Sequence, residues 1–141
     1  MITRILVAMF VGAIVMFGLG FLIYGLLLAD FMKTNMTVEA AKLMIEPPNF
    51  ILLFASNLAF AWVLALIFER WAGIKTFVTG AIAGAIIAAS VALAIDLQFL
   101  ATMKMLNGFV PVIIDVLAAA VLGGISGGVI GFVLGKMPET S

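Results

Sequence analysis

The sequence predicts an all-α membrane protein, an up-down bundle of four transmembrane helices forming one domain. Three observations carry this reading. Of 141 residues, 66% are hydrophobic and 10% charged, against roughly 45–50% and about 25% in soluble domains; mean hydropathy is +1.37. The apolar residues gather into four runs, 5–29, 50–68, 76–100 and 111–135, each near the roughly 20 residues a helix needs to cross hydrocarbon. The runs are too long for barrel strands and lack a period of two, which excludes a transmembrane β-barrel.

The first run follows Arg4 and imitates a signal peptide. It is longer than the roughly 7–15 apolar residues of such a peptide, and no small-x-small cleavage site follows, so it reads as a retained span. It ends at Asp30, and the extramembrane loop 30–49 comes next. Within that loop, residues 37–44 read as a short helix with Thr37 as N-cap, lying on the bilayer surface. The second span opens after Pro47-Pro48-Asn49, where a missing N–H costs nothing. It closes at Glu69-Arg70, which reads as a wetted helix end. The third starts near Thr76; whether it stops at Ile95 or runs on decides whether Asp96 is interfacial or embedded. Asn107-Gly108 is a turn signal, and the fourth span runs from Pro111 to Gly135-Lys136.

Orientation follows from lysine and arginine. Arg4, Arg70, Lys75 and Lys136 fall on the side of the termini; Lys33, Lys42 and Lys104 fall on the other, with the carboxylates Asp30, Glu39 and Glu46. This places both termini in the cytoplasm, with Trp71 at the cytoplasmic interface.

The composition removes whole classes of chemistry. There is no cysteine and no histidine, hence no disulfide, thiolate metal site or imidazole-based triad. No basic run tracks a phosphate backbone, so nucleic acid is not expected as a partner. No phosphate loop and no GxSxG motif is present, and neither metal nor cofactor is expected. Asp96 and Asp115 resemble the two aspartates of an intramembrane aspartyl hydrolase only in number, because the Tyr-Asp and Gly-x-Gly-Asp contexts are missing. The expectation is a non-enzymatic protein with no catalytic residue.

Two patterns remain. The first is glycine: Gly123, Gly124, Gly127, Gly128, Gly131 and Gly135 on the fourth span, and Gly80 and Gly84 on the third. Small faces let helices approach closely in lipid, where no hydrophobic force joins them. They read as helix-packing surfaces, and the amount of glycine on the fourth span suggests a homodimer or docking onto a larger membrane complex.

The second pattern is polar. Tyr24, Asn57, Asp96 and Asp115 all fall in the half of the membrane away from the termini if the chain alternates direction. Each continues a stripe of small residues: Ala92, Ala89, Ala85 and Ala81 behind Asp96; Ala119, Gly123 and Ser126 beyond Asp115; Ala61 and Ala65 beyond Asn57; Gly20 behind Tyr24. Small stripes belong at helix contacts, so the four point into the bundle. A carboxylate at mid-membrane costs roughly 2.5–3.5 kcal/mol and calls for water, a partner or a proton, and two neighbouring carboxylates favour sharing one proton. Two readings follow: a proton or cation site, or aspartates at headgroup level, solvated or paired with Lys104.

The run Gly18-Leu19-Gly20-Phe21-Leu22-Ile23-Tyr24-Gly25 resembles the end of the first span in small four-span bacterial membrane proteins grouped as a domain of unknown function. There the pattern is Leu-Gly, two or three apolar residues, then an aromatic-Tyr-Gly or Tyr-Ser-Pro. Ile23 stands here where that pattern often has Trp, and Leu26 where Pro is common. The resemblance implies a bacterial inner-membrane helical bundle and supplies no activity. The favoured expectation is an accessory subunit that docks through small-residue faces. The alternative is a small proton- or cation-linked transporter or channel using Asp96 and Asp115.

Overall fold

The computed structural model describes residues 2–45 and 47–138. Among these it is an all-α bundle whose elements are α1 (Ile2–Gly20), α2 (Ala29–Thr34), α3 (Val38–Lys42), α4 (Phe50–Ile67), α5 (Phe77–Thr102) and α6 (Val110–Lys136). Two π-helical segments, Phe21–Leu27 and Phe68–Ala72, prolong α1 and α4. Four helical stretches are long and apolar enough to cross a membrane: Ile2–Leu27, Phe50–Ala72, Phe77–Thr102 and Val110–Lys136. The chain is thus a multi-pass membrane protein of the expected fold class.

Local chemistry sets the helix ends. Asn49 caps α4 by accepting from the Leu52 N–H at 3.1 Å, and Thr76 caps α5 through the Thr79 N–H at 3.2 Å. Thr37 caps α3 as expected, accepting from the Ala40 N–H at 3.2 Å. Gly73 ends the second span with a φ of 62° and Gly108 turns into α6 with a φ of 93°, conformations that suit glycine. The loop 30–49 also contains α2, which the polar composition of that stretch conceals. Glu46, counted among the far-side carboxylates, lies outside the described residues.

Helix order in space differs from order in sequence. α5 packs on α6, α6 on α1, and α1 on α4, while α4 and α5 do not pack along their lengths. The α5–α6 contact is the closest. A methyl group on Gly80 would overlap the Gly127 carbonyl oxygen, and one on Gly84 would overlap the Gly123 oxygen and come within 2.9 Å of Gly127 Cα. Gly123, Gly127 and Gly131 are likewise blocked by α5 or its leading turn, Gly128 by the Phe77 ring at 2.7 Å, and Gly135 by the Lys75 carbonyl. Gly124 differs, with ordinary 3.5 Å neighbours, and lines a shallow apolar groove on the outer surface with Ala81 and Ala85. Most of the glycine face of the fourth span is therefore a packing surface taken up by α5 of the same chain. The stripe behind Asp96 is corrected too: the buried positions step by four through Ala88, Gly84 and Gly80, whereas Ala85 and Ala81 turn outward.

The apolar core lies near the termini. Ile5, Ala8, Ala13 and Met16 of α1 meet Ala61, Leu64, Ala65 and Phe68 of the second span and Ile130 and Leu134 of α6. Above Arg4 the same end is closed by charge. The Arg4 guanidinium donates from Nε to Glu69 Oε2 at 2.8 Å and from its two terminal nitrogens to the carbonyls of Leu134 (2.6 Å) and Met137 (3.2 Å). Lys75 Nζ stands 3.9 Å from the other Glu69 oxygen. Glu69 is thus no wetted boundary: its side chain is 7% exposed and Arg4 is equally enclosed, because one cation serves a carboxylate and the unpaired C-terminal carbonyls of α6 together.

Two stability outcomes follow. Gly84→Ala should lower unfolding stability in detergent by about 1–3 kcal/mol through overpacking. Gly20→Ala, with nothing within 4 Å of the added methyl, should raise it slightly, since glycine inside a helix costs roughly 0.5–1 kcal/mol against alanine. Equal shifts in thermal melts would contradict the packing described. Arg4→Met strands a buried Glu69 and should cost up to about 3–5 kcal/mol, less whatever Lys75 restores; the Arg4→Met/Glu69→Leu pair should regain most of it. A double variant no better than the single one would remove the ion pair as the cause.

Candidate functional site

Away from the termini the bundle opens. A cleft of about 420 Å³ lies between α4 and α5, with α1 and α6 as its floor. Tyr24, Asn57, Asp96 and Asp115 all line it. Each helical hairpin contributes one of these residues near the end of its first span and one near the start of its second.

Tyr24 stands on the π-helical prolongation of α1, and its hydroxyl donates to Asp115 Oδ1 at 2.8 Å. The inward row of α1 reaches Met16, and two ordinary turns of about 3.6 residues each would next bring Ile23 inward. The wider π turns take up one more residue, so the phenol faces the cleft instead. Asp115 follows the Pro111 turn of α6, and its neighbours along the helix, Ala118 and Ala119, are buried. Asp96 is 8% exposed, lies within hydrogen-bonding reach of Asp115, and has one carboxylate oxygen, Oδ2, with no partner. Asn57 and its neighbour Ser56 line the wall made by α4.

Among the described residues, no ion pair joins Lys104 to either aspartate, and no cationic side chain lines the cleft. The Lys104 end of the α5–α6 connection is engaged elsewhere. The Thr37 hydroxyl donates to the Lys104 carbonyl at 2.5 Å, the Thr37 N–H to the Met105 carbonyl at 2.9 Å, and the Asn107 N–H to the Asn35 carbonyl at 2.8 Å. These bonds tie the first and third loops together.

The length of α5 bears on the depth of Asp96. At about 1.5 Å per residue, its 26 residues make a helix about 39 Å long, roughly 9 Å more than the hydrocarbon core. Asp96 lies about 9 Å from the helix end at Thr102, hence about 4–5 Å inside the hydrocarbon if the excess is shared between both ends. On that placement it is embedded, close to the headgroups. Beneath the cleft, toward the termini, the apolar core closes the bundle, so the polar residues form a one-sided basin and no continuous polar path.

The site reading of the sequence missed Ser56 of the cleft, and it missed the Arg4–Glu69 pair. Both ends of that pair were signalled: stepping by four from Asn57 through Ala61 and Ala65 leads to Glu69, and stepping back by four from Tyr24 leads through Gly20, Met16, Gly12 and Ala8 to Arg4. No group of three or more acidic residues suited to holding a metal ion is found among the described residues. No family model, curated protein or solved structure matches the chain.

The chain lacks cysteine, so single thiols report access cleanly. Ser56→Cys and Asn57→Cys should react with a membrane-impermeant thiol reagent from the face opposite the termini only, and Ala61→Cys from neither. Labelling of Ser56→Cys from both faces would show that the basin is not closed below.

Proposed function

We propose that this membrane protein binds a small cation in the cleft, as the binding site of a small transporter. One observation carries the reading: Asp96 is a buried carboxylate with an unpartnered oxygen, beside a second carboxylate, in a cleft that no cationic side chain lines. A carboxylate below the headgroups needs compensation, and the Tyr24 hydroxyl answers only Asp115. A bound cation would answer Asp96. The closed core below the cleft favours alternating access over a standing pore.

The accessory role favoured on sequence grounds needs small-residue packing faces. Gly123, Gly127 and Gly131 are taken up by α5 of the same chain, which leaves such a role the outer groove of Gly124, Ala81 and Ala85. In a bacterial inner membrane the termini would lie in the cytoplasm, with Arg70, Lys75 and Lys136 near that surface, and the cleft would open outward. Arg4 adds little to this charge bias, because Glu69 neutralises it.

The test is cation binding by the purified protein in lipid nanodiscs. Methylammonium and alkali cations are titrated by calorimetry against wild type, Asp96→Asn and Asp115→Asn. At least one of these ions should saturate the wild type, with affinity at least tenfold lower in Asp96→Asn. A wild type that binds none of them, or an Asp96→Asn protein that binds equally well, defeats the proposal.

A further inference from the structure

Asp96 and Asp115 stand within hydrogen-bonding reach of one another. An ionised carboxylate offers acceptors only, whereas a carboxyl group that holds a proton can donate. Two carboxylates at that separation therefore either repel or share a proton. At hydrogen-bonding distance only a proton fits between two oxygens.

The surroundings say which of the two carries it. Asp115 is half-buried, and its Oδ1 accepts from the Tyr24 hydroxyl at 2.8 Å. A hydrogen bond to the charged form favours the charge, so Asp115 is the better carboxylate. Asp96 is 8% exposed, and its Oδ2 is shut off from solvent with no donor. If Asp96 were ionised, part of its charge would rest on an oxygen that nothing answers, and a buried group so placed gives up its charge. As a neutral acid, Asp96 escapes that cost and provides Asp115 with a second donor. Both observations assign the proton to Asp96.

No other titratable group enters the balance among the described residues that line the cleft. The π-helical prolongation of α1 presents Tyr24, α6 presents Asp115, and α4 presents Ser56 and Asn57, which do not titrate. The rest of the α5 wall is apolar.

Resting on the cation-binding reading above, we infer that the site without its cation keeps one proton, held by Asp96 against Asp115, and that a cation binds by displacing it. The O–H bond of Asp96 breaks, its electron pair stays on the carboxylate, and the proton passes to water. Before the exchange the pair carries a single negative charge. Afterwards two carboxylates face one cation, so a monovalent ion leaves the net charge of the site unchanged. In a medium where a change of net charge is expensive, that equality favours replacement of one ion by the other. Proton and cation cannot be held together, which makes the protein a cation–proton exchanger.

The experiment uses the full chain in nanodiscs, in buffer free of alkali cations and small amines. Infrared spectra of the wild type at neutral pH should show the carbonyl stretch of a protonated carboxylic acid, and Asp96→Asn should lack it. Saturation with methylammonium, or with whichever alkali cation binds, should abolish that stretch in the wild type. Calorimetry in two buffers of different ionisation enthalpy should count about one proton released per cation bound, and the apparent affinity should fall by up to about tenfold for each unit drop in pH. A cation that binds without releasing a proton, at an affinity level across pH, overturns the exchange while the cation-binding reading stands. A carboxylic acid stretch that persists in Asp96→Asn puts the proton on another group and overturns the assignment. If no cation binds, the broader reading fails and the exchange falls with it. Proton release and its pH dependence are read on the wild type, so poor folding of the variant does not blur them.

Discussion

The candidate site depends on the backbone approach of α5 to α6. α5 has little other support: it packs on α6 and leaves α4 across the cleft. Its Gly80 and Gly84 sit against Gly123, Gly127 and Gly131 so closely that no side chain fits between the two backbones. That contact fixes the register of the hairpin, and the register places Asp96 beside Asp115. In lipid, where apolar side chains gain nothing by turning inward, close packing of small residues is the available source of such specificity. The glycines therefore serve the acids at a distance: they bring two groups together that would otherwise repel one another.

The bundle divides its length between two tasks. The half nearest the termini is sealed by an apolar core and by Arg4, which gathers Glu69 and the last carbonyls of α6. The opposite half is left open between α4 and α5. A buried ion pair contributes less net stability than its geometry suggests, because both charges lose their hydration. Its effect here is one of position. The guanidinium joins the first, second and fourth spans at a single point, and only an arrangement that brings all three helix ends together satisfies it. Phe17, in edge-to-face contact with Phe50 and Phe54 at 6.3 and 5.8 Å, holds α1 to α4 higher up. With α1, α4 and α6 joined in this way, the one side left to part is the one between α4 and α5.

Much of this was legible in the sequence, and what was not has physical causes. The four spans stand out because twenty apolar residues in a row have few alternatives. The inward direction of Tyr24, Asn57, Asp96 and Asp115 could be read from small residues on the same helical face. The stripe through Ala89, Ala85 and Ala81 drifted off the interface because steps of three and four were mixed, while the contact follows a strict row of four, Gly80–Gly84–Ala88–Ala92–Asp96. The Arg4–Glu69 pair escaped because a charge at a helix end is usually wetted, although the inward rows of both helices run on to these two residues. The glycines were legible as a packing face, but sequence shows that a face is small without showing which helix takes it.

The π-helical turns were also invisible, and they bear on the site most directly. Their hydrogen bonds run over a longer interval than those of an α-helix, and such turns are rare and frequently found at functional sites. Phe21–Leu27 is such a segment, and Tyr24 sits inside it. A straight α-helix continuing from Met16 would turn Ile23 toward Asp115 and swing the phenol aside. The extra residue per turn keeps the α1 row in phase long enough to present a donor to that carboxylate. Asp115 then holds the phenol, while Asp96 Oδ2 has no partner, although the two lie side by side. The asymmetry within the pair is thus a consequence of how α1 ends: the phenol reaches Asp115 and not Asp96.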